Sequence, residues 1–375
     1  MKNCPTLGII AIEQTDFPPY GKQRFFFEDM VNAAADLELN FFFFSPFEIY
    51  KNEIEGWVFE NGNWERQKQE RPDFIYDRAF SALETERKEL ADYRQFLKDE
   101  SLKVLNPVDM ALLCDDKAAF HHFLQERKLP TLEVLHFKAI ESEKLFESQQ
   151  CYFIKPMSGS GGLGIYVVKK TKAGLVLNNH LNDESRHFES LPLLIAFLSE
   201  KIKSEQYFIQ PKAKIFDFEN APIDLRVLIQ NQGGSTYQIS GMALRQGQAG
   251  SNVSNLQSGG TALAFEEIAE WLEEVLHFST SSILEQVKKI SFDTCRAIDQ
   301  KFGEFAEIGL DFLLSTEGPV IMEGNARPSR WVFNVLADRY QDEAKKSLVY
   351  KSQRALSVKM PAVFAKNFAE LEKLT

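Results

Sequence analysis

Lys155 closes the run Phe153-Ile154-Lys155-Pro156, and Ser158-Gly159-Ser160-Gly161-Gly162-Leu163-Gly164 follows almost at once. Glycine amides carry no side chain to hold an anion away, and a loop free to take positive φ can wrap phosphate oxygens. Residues 159–164 satisfy the G-x-G-x-x-G pattern of dinucleotide sites, but such a loop must open a helix. Here Ile165-Tyr166-Val167-Val168 follows, β-branched and aromatic, so the loop joins two strands. A Walker A loop fails as well, because no Gly-Lys-Ser/Thr follows. A protein-kinase flap needs its lysine after the glycines and a later H-R-D-x-x-x-x-N segment, and Asp311-Phe312-Leu313 stands where Asp-Phe-Gly would be. The expectation is a strand–loop–strand flap over a triphosphate, with the Lys155 ammonium reaching the same oxygens. The plainer alternative is a glycine-rich hairpin turn, which needs fewer glycines than these.

A second constellation is acidic. Glu307-Ile308-Gly309-Leu310-Asp311-Phe312-Leu313-Leu314 and Val320-Ile321-Met322-Glu323-Gly324-Asn325 are strand-like, and Ser315–Pro319 between them is turn-like. A hairpin centred on Glu317 sets Asp311 opposite Glu323, and period-two alternation puts Asn325 on the same face as Glu323. Facing carboxylates in an apolar sheet repel unless a cation lies between them. An all-oxygen set of Asp311, Glu323 and Asn325 suits Mg²⁺, which takes few protein ligands and keeps water and phosphate in its shell. A solvated edge hairpin would not be flanked so closely by Ile, Leu, Phe and Met.

The elements that must position these residues fall into three expected units, 1–108, 109–205 and 206–375. Strand and helix signals alternate in the first: Leu7–Ile12, a helix over Phe25–Leu37, and Asn40–Ser45, whose four phenylalanines suit a strand covered on both faces. A hairpin over Trp57–Trp64 turns at Asn61-Gly62, Phe74–Tyr76 is a strand, and Glu84–Lys98 is a charged helix. Asp115 is a candidate N-cap for a helix through Glu126. Strands are expected at Cys151–Lys155, Ile165–Lys170, Gln206–Ile215, Asp224–Gln230 and Thr236–Arg245. Helices are expected at Leu191–Lys203, Glu266–Phe278, Ser282–Phe302 and after Trp331. The fold class is α/β followed by α+β.

Composition narrows the partners. The 375 residues are 44% hydrophobic and 26% charged, with a net charge of −11, the wrong sign for a nucleic-acid or anionic-membrane binder. Cys4, Cys114, Cys151 and Cys295 are too scattered for a disulfide framework or zinc site. Met1–Pro5 does not open a signal peptide, and no apolar run nears the ~18–20 residues of a membrane span. A cytoplasmic protein is expected, with no nucleic acid and no membrane insertion. His121, His122, His136, His180, His187 and His277 form no motif and read as surface or satisfied core residues.

Glycine flap, upstream lysine and an Asp…Glu-x-Asn hairpin, in that order, resemble the ATP-grasp superfamily from about Asp115 to Pro328. Asp224-Leu225-Arg226-Val227-Leu228-Ile229, then Arg245, Asn255-Leu256 and Gly259-Gly260, look like the order in ribosomal-protein glutamate ligases and glutathione synthetases. Arg71-Pro72-Asp73-Phe74-Ile75-Tyr76-Asp77-Arg78, Asp116-Lys117, the flap and Glu307–Asp311 resemble the YheC/YheD endospore-coat-associated family more closely. The resemblance implies an ATP-grasp fold behind an N-terminal Rossmann-like pre-ATP-grasp domain.

It further implies that Lys117 and Lys155 hold ATP phosphates under the flap residues Ser158, Gly159, Ser160, Gly161, Gly162 and Gly164. Gln210 would lie in the hinge near the adenine, with Asn255 in the nucleotide set. Arg226 and Arg245 would face the transferred phosphoryl group and the reacting carboxylate, although Arg226 also alternates with Asp224 and could form a structural ion pair. Asp311, Glu323 and Asn325 would bind Mg²⁺, as one or two ions with Mn²⁺ as substitute. Arg327 and Arg330 would receive a substrate carboxylate, and Arg78 reads equally as a substrate contact or a surface residue. Ser258 stands where the glutamate ligases usually have a basic residue, which leaves the acceptor open.

The implied activity is carboxylate–amine (or carboxylate–thiol) ligation through an acyl phosphate, on an amino acid, peptide or similar small carboxylate. The alternatives are a nucleotide-binding or spore-coat-associated structural protein and a phosphotransferase. Oligomeric state is left open. On this reading Asp311→Ala or Glu323→Ala abolishes Mg²⁺-dependent turnover and leaves the fold intact.

Overall fold

The computed structural model describes residues 4–372 except 15–16, 49–52, 80–96, 99–102, 149, 160–162, 180–184, 214–215, 252–253, 255 and 257–258. The first layer comprises β1 (Thr6–Ile10), α1 (Arg24–Ala33), β2 (Asn40–Phe44), β3 (Ile54–Glu60), β4 (Asn63–Gln69), β5 (Phe74–Asp77) and β6 (Lys103–Val104). Its strands lie in the order β4-β3-β2-β1-β5-β6, with β2, β1, β5 and β6 parallel. Parallel strands are buried on both faces, and β2 shows why four phenylalanines suit it. Phe43 enters one apolar cluster with Phe27 and Trp64, while Phe42 and Phe44 enter another with Ile10 and Ile75. The β3–β4 hairpin turns at Asn61 (φ 50°) and Gly62 (φ 81°), the two left-handed positions that favour Asn-Gly. The expected helix over Glu84–Lys98 lies outside the described residues apart from Leu97 and Lys98.

Next come α2 (Val108–Asp115), α3 (Lys117–Glu126), β7 (Leu135–His136), β8 (Cys151–Pro156), β9 (Tyr166–Thr171), β10 (Gly174–Asn179), β11 (Ser185–Phe188), α4 (Leu191–Lys201) and β12 (Tyr207–Pro211). The second sheet runs β11-β10-β9-β8-β12-β7. The glycine loop connects the antiparallel pair β8–β9, so it is a flap and not a helix entry. The cap of α3 is Asp116, whose carboxylate accepts the Ala119 amide at 2.9 Å, and the Asp115 expected there ends α2 instead. Strand β10 carries the short apolar run Leu175-Val176-Leu177 and β11 carries only Phe188; neither is among the expected strands.

The third sheet collects β13 (Asp217–Phe218), β14 (Ala221–Asn231), β15 (Tyr237–Gln246), β16 (Thr261–Leu263), β17 (Glu307–Ser315) and β18 (Gly318–Asn325). Its order is β16-β15-β14-β17-β18, with β13 on β14. Helices α5 (Ala269–Leu276) and α6 (Thr280–Phe302) share its largest core with α2 and α3, and α7 (Trp331–Arg339) packs in a separate cluster with Leu228 and Ala243. A Cβ on Gly324 would overlap the Phe120 ring, so glycine lets α3 lie close on β18. Three helices pack across the expected unit boundaries. Helices α2 and α3 contribute Met110, Phe120 and Leu124 to the core of the third sheet. The last helix, α8 (Ala344–Glu372), inserts Val358, Ala362 and Ala365 into the core of the first.

Candidate active site

Strands β8 and β12 pair antiparallel with Lys155 opposite Phe208 and Phe153 opposite Gln210, so Lys155 and Gln210 project from one face. The Lys155 ammonium donates to Gln210 Oε1 at 2.6 Å and sits 4.8 Å from the Phe153 ring centroid. Loss of water around this ammonium, seconded by the charge of Lys117, lowers its pKa to about 8, while Glu323 opposes the change. The expectation for Gln210 was the adenine hinge. In the structure its amide is buried against Lys155 and His121. Ser158 and Gly159 are exposed beyond the strand end, with Gly159 at φ 118° and Gly164 at φ 72°. Ser160, Gly161 and Gly162 lie outside the described residues, as does Asn255.

Lys117 ties the flap to the acidic hairpin. Its amide donates to Met157 O at 2.8 Å, and its ammonium lies 3.3 Å from Glu323 Oε1. In the hairpin, Ser315 pairs with Gly318 across a two-residue turn, and a bulge beside Asp311 brings that residue opposite Glu323. Without the bulge a two-residue turn would have placed Met322 there. Gly309 lies opposite Asn325, so Asp311, Glu323 and Asn325 occupy neighbouring positions on one face.

That face carries a ladder of charge across four strands. Arg245 on β15 pairs with Asp224 on β14 through two bonds of 2.6 and 2.7 Å. Arg226, two residues along β14, grips Asp311 on β17 with both Nε and Nη2, and Arg245 Nη2 reaches Asp311 Oδ2 at 2.8 Å. Ser254 closes the far end on Asp224. Burial alone would raise the Asp311 pKa, but Arg226 and Arg245 outweigh it and hold the carboxyl at about 2. The cations facing Asp311 here are therefore guanidinium groups.

The donor set still fits Mg²⁺ in kind. Glu323 is a third exposed, and the Asn325 Nδ2 is buried without a hydrogen-bond partner. Among the described residues no three His, Cys, Asp or Glu side chains gather into a metal cage, and a two-carboxylate, one-amide set is in keeping with a mostly hydrated ion. Asp311 enters this set with both oxygens already holding arginine.

Arginines 327 and 330 part company. Arg327 bonds Asp77 Oδ2 at 2.5 and 3.1 Å and lies 3.6 Å from Asp115, at the edge of the site. Arg330 does not face substrate: it is 3% exposed and holds the fully buried Glu307 with both Nη atoms. Tyr76 donates to Glu307 Oε1 at 2.6 Å, Gln230 donates to Oε2 at 2.8 Å, and Arg78 lies 3.6 Å from the same carboxylate. Arg78 is thus neither surface nor substrate contact. It also donates to Pro328 O at 3.3 Å and helps clamp β5 to β17. Neither Glu307 nor the buried His121 was singled out in the sequence. A charged residue opening a buried strand was the one available signal for Glu307.

The model of the YheC/D-like ATP-grasp family matches residues 113–354. The endospore coat-associated protein YheC of Bacillus subtilis (strain 168) is 24% identical over 337 residues, covering 87% of this chain and 89% of that protein. D-alanine–D-alanine ligase from Bacillus anthracis is structurally similar, with a TM-score of 0.52 at 12% identity over 96% of this chain and 99% of its own. A ligase from Chryseobacterium gregarium, described as a RiPP-associated ATP-grasp ligase in complex with ADP and a leader and core peptide, gives 0.52 at 10% identity over 95% and 96%. Among the described residues no helix is long and apolar enough to cross a membrane. Matched over well more than half its length, and folded as those structures are, the chain belongs to the YheC/D-like ATP-grasp family.

Proposed function

We propose that this protein is an ATP- and Mg²⁺-dependent carboxylate–amine ligase acting on an amino acid, peptide or similar small carboxylate. The observation that carries the reading is the Lys117–Glu323 ion pair, which links the lysine bonded to Met157, just past the flap strand, to the hairpin carboxylate that lies opposite Asp311. Both substrates of such a reaction are anions, so a site must concentrate positive charge between them. Lys155 and Lys117 supply it for the phosphates, and Arg226 and Arg245 supply it for the reacting carboxylate. Arg327, held by Asp77, supplies it at the rim.

The γ-phosphoryl group passes to the substrate carboxylate, breaking the bond to ADP and forming an acyl phosphate. The amine then attacks the acyl carbon and phosphate leaves. Asp311, Glu323 and Asn325 would hold Mg²⁺ (or Mn²⁺), which when bound neutralises phosphate charge and keeps the transferred group in line. No protein nucleophile is needed. Arg226 and Arg245 must loosen their hold on Asp311 for that residue to serve the ion. This requirement favours a second reading, a nucleotide-binding coat component without turnover, in keeping with the coat association given for YheC.

ADP release from ATP and Mg²⁺ against pooled amino acids and dipeptides tests the proposal, with Glu323→Ala as control. Release that requires both a carboxylate and an amine supports the ligase. Release with the carboxylate alone points to a phosphotransferase. ATP binding without release in any pool supports the second reading.

A further inference from the structure

We infer that His121 is a positioning residue for the Lys155 ammonium, acting through Gln210. The inference rests on the reading of Lys155 as a phosphate ligand. A chain of four polar links runs from the flap strand to the acidic hairpin. Lys155 Nζ lies 2.6 Å from Gln210 Oε1, and Gln210 Nε2 lies 3.5 Å from His121 Nε2. His121 Nδ1 lies 2.6 Å from Thr131 Oγ1, which in turn lies 3.1 Å from Ile321 O on β18.

Along the chain itself the two ends fix one set of donors, with the Met322 backbone a further partner of the imidazole. An ammonium can only donate, so the amide oxygen of Gln210 must face Lys155 and its NH₂ must face His121. The Nε2 of His121 must then accept, which leaves the proton on Nδ1 to be donated to Thr131. Thr131 passes its own hydroxyl proton to the Ile321 carbonyl, which can only accept. His121 is 2% exposed; burial first, then the charges of Lys155, His122 and Lys117, favour the neutral imidazole, and a backbone hydrogen bond with Met322 opposes them.

Every member is anchored to a different element: β8, β12, α3, the segment before β7, and β18. The neutral imidazole fixes which way the Gln210 amide faces. The amide in turn fixes one of the three Lys155 donors and leaves the other two for an anion.

The test compares wild type with His121→Phe, which keeps bulk and removes both links, and with His121→Gln, which restores an acceptor near Nε2. Two readouts are taken: ADP affinity by calorimetry, and the ¹⁵Nζ resonance of Lys155 in lysine-labelled protein without nucleotide. His121→Phe should shift the Lys155 resonance and weaken ADP about tenfold, the loss expected for one charge-assisted contact. His121→Gln should recover most of both. Thr131→Val, nearly isosteric, should move both in the same direction by less, and it serves as the test if His121→Phe fails to fold. Wild-type resonance and affinity in His121→Phe, or in Thr131→Val where His121→Phe does not fold, would reduce His121 to packing and overturn the inference. If wild type binds no ADP yet His121→Phe shifts the resonance and His121→Gln restores it, the positioning chain stands and the nucleotide reading falls.

Discussion

Arg226 and Asp311 face each other across β14 and β17 and are joined by two parallel bonds, one of them 2.8 Å long, in a region almost closed to water. This overturns the expectation that Asp311→Ala leaves the fold intact. The sequence suggested a carboxylate repelled by Glu323, whereas the structure gives one that neutralises Arg226 and shares Arg245 with Asp224. Removing one member of a buried ion pair strands the other. Asp311→Asn should destabilise by about 3–5 kcal/mol. Urea unfolding of the variant at neutral pH checks the value, and a loss below 1 kcal/mol would mean the pairing contributes little.

Glu323 is the cleaner probe of the metal set. Its carboxylate is a third exposed and meets Lys117 at 3.3 Å, so Glu323→Gln leaves its direct partner partly exposed, although it also withdraws a favourable charge from the buried Lys155. The variant should keep wild-type thermal stability within a few degrees while losing Mg²⁺ affinity by roughly 100-fold or more in the presence of nucleotide. Metal titration followed by nucleotide fluorescence measures this. Unchanged affinity would remove Glu323 from the metal set.

Glu307 holds the first and third sheets together through Tyr76, Arg330 and Gln230, at zero exposure. Glu307→Gln should cost about 3–5 kcal/mol, because Arg330 is left charged in the interior. The paired change Glu307→Met with Arg330→Met should recover part of that loss, since neither of those two charges then needs a partner, while the buried Arg78 still loses the carboxylate 3.6 Å away. Nucleotide affinity of the folded fraction should stay at wild type. Unfolding curves of the three proteins separate these outcomes.

What the sequence made legible was local. Asn61-Gly62 announces its hairpin because two successive left-handed positions admit few other residues, and Phe42, Phe43 and Phe44 announce a strand buried on both faces. Asp311 opposite Glu323 was readable because the two strands are joined by a short turn, although the true register needs a bulge to reach it. Partners brought together by topology were not. Arg226 and Asp311 are 85 residues apart, His121 and Gln210 are 89 apart, and Tyr76 and Glu307 are 231 apart. Alternation tells which face a residue takes on its own strand, but strand order decides what it meets there, and no short motif encodes that order. Arg330 was misread for this reason: its position after the hairpin resembled a substrate contact, and its partner Glu307 opens β17, 23 residues earlier.

Lys155 makes the proposed nucleotide site sensitive to pH in a direction that can be worked out. Its ordinary pKa of 10.5 falls to about 8, first through burial and then through Lys117, so near pH 8 about half of the free protein carries a neutral amine. A phosphate beside it favours the ammonium and raises its pKa on binding. Nucleotide should therefore bind with uptake of roughly half a proton at pH 8 and almost none from this group at pH 6. Affinity should hold steady below pH 7 and decline above pH 8, as more of the free amine must be protonated before it can bind. The folded protein carries the opposite liability: the depressed pKa costs stability at neutral pH, and that cost fades as pH rises from 8 toward 10.5. Calorimetry of ADP binding in HEPES and in Tris, whose ionisation enthalpies differ, gives the proton uptake directly. Lys155→Met should abolish the difference between the two buffers at pH 8 and weaken binding at pH 7. Equal proton uptake in wild type and Lys155→Met would place the titrating group elsewhere.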